Sequence, residues 1–572
     1  MKKLLFVSIL AFALASCTKD NGGTDPNPEG KGTPSYLHVN FVSNVSSTRA
    51  TAGDYEDGTL NNESEVKSVR LYFFDGQKNA KPIDDTKSYT TFGITDGGKD
   101  LPNVEKILGA TVVIRTKNAN DVPAYVVAIL NPTPKIEEKN YSLAELQGVI
   151  ATVPLSSGTN GFVMSNSVYH DGTDVVVATP ITTDHYAATE EAAKAKPVTI
   201  YVERTVAKVR LDVSLTNNTY VHATAANTFD TQKTYTSGGV EKKIYVKFDG
   251  WDVTGVADTT YVLKKIENSW GTTAPFTGWN YSDYHRSFWA ENPTGLKYGY
   301  KTYNTVTAAV KGFVSTPEST VHPTPANITY VRENAAGAAD GTDAAVKTQV
   351  IIAGTLVDED GETALEIAEY GGVKYYGAAG DAETNLKSVF ASRISGIYKI
   401  EKDAENSKIK STELSANDIT FRVATAENDS TTVGRYYVYA CLADANPNTE
   451  LYYWSSSNEE RAYNPEEGDA LTVDFVNGKL ENLGHAKIWK SGMTYYYFDI
   501  EHFGADGKGQ YGVVRNHVYN ATIKNLIGLG TPVYDPTQKI WPEKTVDDDI
   551  VISAEIRILS WRIVSQDVSL VW

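Results

Sequence analysis

Apolar and polar residues alternate along much of this chain, and a period of two is the pattern of strands that bury one face. One such stretch covers 66–74, where Val69, Leu71 and Phe73 fall on the same face. Another, 124–130, is apolar almost throughout and is bounded by Pro123 and Asn131. Many short stretches of this kind with few helical stripes predict a mainly β protein built from β-sandwiches.

The longest alternating stretch runs from residue 198 to residue 213 and predicts a strand pair or one bent strand. In its second half the apolar residues point inward, and three charged residues are expected outward: Lys208, Arg210 and Asp212. An Ala- and Lys-rich segment precedes it and ends at Pro197. We therefore expect a domain boundary near Pro197.

Three segments predict short helices. The first, 141–150, begins with Ser142 as its N-cap and has Glu145 three residues later, which is the capping-box spacing. The others are 190–196, ahead of Pro197, and 382–394. The third lies in a polar, Gly-rich region of about 353–463, which we interpret as a large insertion or an elaborated edge of the second domain.

The N-terminus has the pattern of an export signal. Two lysines precede an apolar run from Leu4 to Ala15, which is too short for the roughly 20 residues that span a bilayer. Small residues lead directly to Cys17, so residues 1–17 predict a lipoprotein signal with Cys17 as the lipidated residue. The alternative is an ordinary secretory signal that contains a cysteine. The polar residues 18–32 then read as a solvated tether.

A strand with one apolar face follows the tether. Its inward residues are Leu37, Val39, Phe41 and Val45. Four residues later comes Arg49, followed by the small Ala50 and a polar segment in which a trypsin-like protease could bind extended backbone. We predict that residues 18–49 are a tether and removable strand, cut between Arg49 and Ala50.

The C-terminal region, 550–572, also reads as strands. Residues 550–559 alternate, and the tail alternates again with three residues on one face: Val568, Leu570 and Trp572. In one interpretation this tail closes the sandwich of its own domain. In the other it is donated to the groove of a neighbouring copy, where main-chain hydrogen bonds and alternate side chains would hold it. Such a head-to-tail contact grows a filament.

Composition narrows the function classes. The formal net charge is −18, and without residues 1–49 it becomes −20, with 48 basic against 68 acidic side chains. That balance argues against nucleic-acid binding and against attraction to anionic membranes. The two cysteines are Cys17 and Cys441, so lipidation of Cys17 would leave no intrachain disulfide.

No motif predicts catalysis, a metal site or a cofactor, and we expect a protein that is not an enzyme. The acidic runs 358–362 and 547–549 read as a hairpin turn and a charged loop. Nothing in the spacing of His485, His502 and His517 brings them together as metal ligands. A cluster of aromatics could form a sugar-binding platform, although core packing is the commoner role: Trp270, Trp279, Tyr281, Tyr284, Phe288 and Trp289.

Several motifs, and the order in which they follow one another along the chain, resemble those of the type V pilins of the Bacteroidia, the fimbrillin family. They look closest to its minor-fimbrillin shaft subunits. They are the lipobox at Cys17, the segments 47–50, 202–209 and 513–523, Leu529-Gly530, and the ending 558–561. The resemblance is patchy between about 220 and 490. It implies two transthyretin-like β-sandwich domains, at 50–196 and 197–572, with few helices and a C-terminal donor strand.

The resemblance also implies export to the outer membrane, cleavage by an arginine-specific protease at Arg49, and polymerisation by strand exchange into a surface fimbrium that supports adhesion. The expected partners are other copies of the chain and accessory tip and anchor subunits. The competing hypothesis is a surface lipoprotein that does not polymerise, either a fimbrial anchor or tip, or an adhesin that binds glycans or host protein through the aromatic region 270–289. A third hypothesis is a surface hydrolase, for which the sequence offers no acidic pair or metal site.

Overall fold

The computed structural model describes residues 34–42, 55–57, 63, 65–93, 108–115, 121–170, 175–213, 215, 221–266, 290–309, 311, 328–336, 346–402, 408–424, 436–443, 450–454, 468–500, 511–540 and 551–562. Strands dominate these residues, so the predicted mainly β fold is confirmed. Helices are few and short, as the sparse helical periodicity indicates.

The first part of the chain contains twelve described strands and two helices. The strands are β1 (Ser35–Val42), β2 (Tyr55–Asp57), β3 (Ser68–Phe74), β4 (Tyr89–Gly93), β5 (Leu108–Ile114), β6 (Tyr125–Leu130), β7 (Ile150–Ala151), β8 (Met164–Asn166), β9 (Tyr169–His170), β10 (Val175–Val176), β11 (Thr179–Pro180) and β12 (Tyr186–Ala187). The helices are α1 (Leu143–Gln147) and α2 (Glu190–Lys194).

The middle of the chain continues with longer strands. They are β13 (Val198–Arg204), β14 (Val206–Val213), β15 (Thr228–Ser237), β16 (Val240–Thr254), β17 (Val256–Ala257), β18 (Thr260–Tyr261), β19 (Tyr298–Gly299), β20 (Ile328–Arg332) and β21 (Gln349–Val357). The helix α3 (Tyr303–Ala308) lies before β20.

The last part mixes strands and two longer helices. The strands are β22 (Glu366–Tyr370), β23 (Val373–Gly377), β24 (Ile397–Lys402), β25 (Lys408–Glu413), β26 (Ile419–Val423), β27 (Val438–Leu442), β28 (Leu451–Trp454), β29 (Gly468–Leu471), β30 (His485–Trp489), β31 (Met493–Asp499), β32 (His517–Ile527), β33 (Thr531–Pro532) and β34 (Val551–Arg562). The helices are α4 (Asp381–Arg393) and α5 (Val473–Glu481).

One nine-stranded sheet forms what we call the N-terminal sandwich. Its strand order is β12-β1-β13-β8-β6-β3-β4, with β5 beside β1 and β11 beside β6. The sheet closes around a core in which side chains of β1, β5 and β13 meet those of β3 and β6. The alternation predicted in 66–74 is part of that core, because Val69, Leu71 and Phe73 have no exposed surface.

Two five-stranded sheets form the C-terminal sandwich. One has the order β2-β34-β32-β14-β20, and the other has the order β15-β16-β21-β31-β33. Their inward side chains pack together in a second core, in which Trp251 and Tyr496 are among the largest buried residues. Main-chain pairing within each sheet and apolar contacts between the sheets are the ordinary construction of a β-sandwich.

The stretch 198–213 is two strands that belong to different sheets. β13 lies in the N-terminal sandwich, and β14 starts in the C-terminal sandwich after the single residue Thr205. The expectation that Lys208 and Asp212 point to solvent is wrong, since their side chains are buried. The cause is that the outer face of β14 is covered near the junction, where Lys208 forms an ion pair with Glu63.

A third core lies at the junction of the two sandwiches. It joins Tyr72 and Phe162 on one side to Val206, Val262 and Val518 on the other. Buried ion pairs accompany it. Arg515 pairs with Glu333 at 2.8 Å and also donates to the carbonyls of residues 261 and 262, while Lys264 lies 3.2 Å from Glu203. The junction is therefore a packed interface that contains buried ion pairs.

A fourth core gathers residues between 368 and 488 around helices α4 and α5. It overlaps the region that we interpret as an insertion, whose limits of about 353–463 remain a prediction. The helix predictions for 141–150, 190–196 and 382–394 are confirmed in kind. Ser142 and Glu145 form the expected capping box at α1.

Candidate functional site

The strand that we predict to be removable, β1, is an inner strand of the N-terminal sandwich. It pairs antiparallel with β5, from Ser35 opposite Ile114 to Phe41 opposite Leu108. On its other side it pairs in parallel with β13, from Val39 opposite Val198 to Val42 opposite Tyr201. β1 also pairs antiparallel with β12, where Tyr36 and Leu37 lie opposite Ala187 and Tyr186. Taking β1 away would therefore leave main-chain groups of β5, β12 and β13 facing an open groove.

The inward face of β1 has the predicted composition. Leu37, Val39 and Phe41 each have no exposed surface and belong to the core of the N-terminal sandwich. Complete burial of three such side chains is worth roughly 5–9 kcal/mol on the scale of about 1.5–3 kcal/mol each. Val45, the fourth predicted member of this face, lies outside the described residues.

The outward face of β1 is polar and closely contacted. The Nδ1 atom of His38 lies 2.9 Å from the hydroxyl of Thr111 on β5. Burial and the nearby Lys194 lower the pKa of His38, while a hydrogen bond with Asn40 and the charge of Glu190 act in the opposite direction. His38 thus favours its neutral form while β1 is in place.

The predicted cleavage site and lipidation site lie outside the described residues, and so does the C-terminal tail. Cys17, Arg49, Ala50, Val568, Leu570 and Trp572 are the residues concerned. Of these positions, only Arg49 and Ala50 lie in a gap with described backbone on both sides. After Arg49 the described backbone resumes at β2, which pairs in parallel with residues 560–562 at the end of β34.

β34 lies beside β32 in the sheet of its own chain. The two strands pair antiparallel from His517 opposite Ser560 to Ile527 opposite Val551. The sequence predicts strands in the region 550–572 without indicating the partner of either one. The sequence did not predict the parallel β2–β34 pair, because β2 has only three residues and shows no alternation of apolar and polar positions.

The other candidate residues do not converge. The acidic run at 358–362 is a tight turn as interpreted, with Gly361 at φ +76° and the Asp360 carboxylate accepting hydrogen bonds from Thr363. His485 starts β30, whereas His517 is buried in β32 of another sheet. His502, the acidic run 547–549 and the aromatic residues of 270–289 lie outside the described residues.

Within the described ranges, no group of three or more His, Cys, Asp and Glu side chains is placed to hold a metal ion. Cys441 is a free thiol in β27, and burial raises its pKa, which makes it less reactive as a thiolate. No helix among the described residues has the length and apolarity needed to cross a membrane. Of the candidate sites, only the one around β1 is therefore assembled in the described structure.

Several solved structures resemble the chain with low identity. A fimbrilin from Porphyromonas gingivalis is 12% identical, with 92% of this chain and 98% of that chain covered and a TM-score of 0.37. A candidate cell adhesion protein from Parabacteroides distasonis is 12% identical, with 94% and 99% covered and a TM-score of 0.34. The C-terminally truncated tip fimbrial protein Mfa3 of P. gingivalis is 9% identical, with 92% and 100% covered and a TM-score of 0.29. Scores at this level carry no argument about function.

No curated protein matches the chain. One family model does match, over residues 487–567: that of the major fimbrial subunit protein type IV, fimbrillin, C-terminal. The matched segment starts in β30, contains all of β31, β32, β33 and β34, and extends five residues beyond β34. The resemblance noted in the sequence is thus confirmed for this segment, since residues 487–567 match the model of the C-terminal region of fimbrillin.

Proposed function

We propose that this chain is a structural subunit of a surface fimbrium and that it polymerises by strand exchange. The subunit is exported as a lipoprotein through Cys17 and reaches the outer membrane. An arginine-specific or trypsin-like protease then cuts between Arg49 and Ala50. The released strand β1 leaves a groove that the C-terminal tail of another copy fills, and the resulting shaft supports adhesion together with accessory tip and anchor subunits.

The observation that carries this proposal is the position of β1. It lies between β5 and β13, buries Leu37, Val39 and Phe41 completely, and ends seven residues before Arg49. A cut behind β1 leaves it attached by main-chain hydrogen bonds and side-chain packing alone. Another extended strand can replace both kinds of contact, which is the physical basis of strand addition.

The tail supplies a matching pattern. Val568, Leu570 and Trp572 have the same spacing of two residues as Leu37, Val39 and Phe41. Because β34 pairs with β32 of its own chain, the proposal assigns the donor role to the residues beyond 562. The fimbrillin C-terminal match over residues 487–567 supports a fimbrial role for this part of the chain.

The test uses the purified full chain and a brief treatment with an arginine-specific protease. Unboiled SDS-PAGE should then show a ladder of polymers, whereas Arg49→Gln should stay monomeric. A chain cut at Arg49 but lacking residues 568–572 should also stay monomeric. As a matched pair, Leu570→Asp should abolish the ladder because a charge would enter an apolar groove, and Ser569→Asp should not.

Two results would contradict the proposal. One is a wild-type chain that loses residues 1–49 and remains monomeric. The other is a ladder that persists when residues 568–572 are deleted, because the groove would then be filled by something other than the tail.

A further inference from the structure

A buried glutamate follows the predicted cleavage site. Glu63 lies fourteen residues after Arg49 in a polar stretch of sequence, yet it has no exposed surface. The Nζ atom of Lys208 lies 3.0 Å from one of its carboxylate oxygens and 3.1 Å from the other. The hydroxyl of Tyr330 donates to the same carboxylate at 2.5 Å. The Glu63 carboxylate is thus buried, with Lys208 and Tyr330 as its partners.

The main chain of Glu63 is also held. Its carbonyl accepts a hydrogen bond of 2.9 Å from Nε of Arg204, the last residue of β13. Lys208 and Tyr330 belong to β14 and β20, which are neighbours in a sheet of the C-terminal sandwich. One residue therefore joins the end of the strand that pairs with β1 to two strands of the second sandwich.

The same sheet holds the chain at a second point. Tyr55, Glu56 and Asp57 of β2 pair in parallel with residues 560–562 of β34. β1, in contrast, ends at Val42 in the N-terminal sandwich. The predicted cut at Arg49 thus falls between a strand on one sandwich and a strand on the other.

Loss of the Glu63 carboxylate would be costly, because Lys208 is equally buried and has its charge balanced there. Removing one member of a buried ion pair leaves the other uncompensated in a low-dielectric environment. The three-residue pairing of β2 is weak by comparison, as short edge pairings fray readily. Loss of the Glu63 carboxylate is therefore expected to cost more than loss of the β2 pairing.

We propose that Glu63 is an anchoring residue that fixes the new N-terminal segment to the C-terminal sandwich, so that cleavage at Arg49 releases β1 alone. The proposal rests on the proposed function for the position of the cut. It adds a role that strand exchange does not require. Glu63 keeps β2 paired with β34. It thereby fixes β34, the strand that precedes the donor tail, while β1 leaves its groove.

Hydrogen exchange on the full chain, before and after cleavage by an arginine-specific protease, tests this role. In the wild type, residues 55–57 and 551–562 should keep their protection after cleavage. In Glu63→Gln their exchange should rise by about tenfold or more after cleavage and by less before it, because the uncut chain is still held by β1. Glu65→Gln is the matched control, since Glu65 forms a partly exposed pair with Lys67 and should change nothing.

If Glu63→Gln does not fold, the double variant with Lys208→Met removes both buried charges and keeps the shape of the site. With neither charge buried at the site it should fold, and it should show raised exchange at 55–57 after cleavage, because the ion pair is gone. Exchange equal to that of the Glu65→Gln control in whichever variant folds would overturn the proposal. Loss of protection at 55–57 in the cleaved wild type would do the same.

These results are read with Leu570→Asp present in every chain, which is expected to keep the cleaved subunit monomeric. They are consequently separate from polymer formation. A wild-type chain that keeps its protection at 55–57 and 551–562 after the cut and never forms a ladder would contradict strand exchange. It would still support the anchoring role of Glu63.

Discussion

Phe41 of β1 lies opposite Ile200 of β13 in parallel register, and neither side chain has exposed surface. β13 continues through Thr205 into β14, so the strand that holds β1 is also the strand that crosses to the C-terminal sandwich. Removal of β1 would thus open the side of a strand that remains fixed at its other end. Such a groove can keep its shape after β1 leaves and before another strand binds.

Truncating Phe41 tests how firmly β1 is held. We expect Phe41→Ala to lower the free energy of unfolding of the uncut chain by about 3–5 kcal/mol, because a fully buried aromatic side chain leaves a cavity. Val113→Ala on the neighbouring strand β5 should change it by no more than about 0.5 kcal/mol, since Val113 is 37% exposed. Urea unfolding measures both, and equal stability of the two variants would show that β1 contributes little to the core.

The hold on β1 should depend on pH through His38. Burial lowers the pKa of His38 in the folded chain below its unfolded value of about 6.5. The unfolded or released strand then binds the proton more readily, so the stability that neutral His38 provides is present above about pH 6.5 and is lost as the pH falls. The protection factors of residues 35–42, taken relative to the intrinsic exchange rate at each pH, should fall between pH 7.5 and 5.

His38→Gln should flatten that pH dependence, since glutamine keeps a polar side chain without titrating. His485→Gln is the comparison, because burial also lowers the pKa of His485 but it lies in β30, in a different sheet. A profile for residues 35–42 that is unchanged by His38→Gln would assign the pH dependence to other groups.

The junction between the sandwiches should depend strongly on Arg515. Its side chain has no exposed surface, pairs with Glu333 and donates to Thr260 and two carbonyls. Arg515→Ala should destabilise the chain by about 3–5 kcal/mol, because Glu333 is left buried without its cation. Arg422→Ala, which breaks the exposed pair with Glu481, should cost no more than about 1 kcal/mol. If urea unfolding shows that the two variants lose similar amounts of unfolding free energy, the ion pair at the junction is more accessible to water than the structure indicates.

Local patterns predicted much of the fold. Alternation identified the buried faces of β1 and β3, and the spacing of Ser142 and Glu145 identified the start of α1, because both signals depend on residues close together in sequence. The turn after Asp358 was recognised for the same reason. For the candidate site, the sequence indicated which residues of β1 point inward but gave no sign of its three partner strands.

The remaining features depend on contacts between distant residues. Lys208 was expected at the surface because it alternates with apolar residues, and only the arrival of Glu63 from 145 positions away makes it a buried partner. The parallel pairing of β2 with β34 joins residues about 500 positions apart and leaves no periodic signal. Buried charges and parallel edge pairs are therefore the features that the sequence pattern does not predict.

The central claim is that residues 1–49 are removed before the subunit enters a polymer. The most direct measurement is the N-terminal residue of the protein extracted from the cell surface in polymeric form. We predict Ala50, with Cys17 and its lipid absent from the polymer. A polymer whose subunits begin at lipid-modified Cys17 would contradict the account, because β1 would still occupy the groove that the tail is proposed to fill.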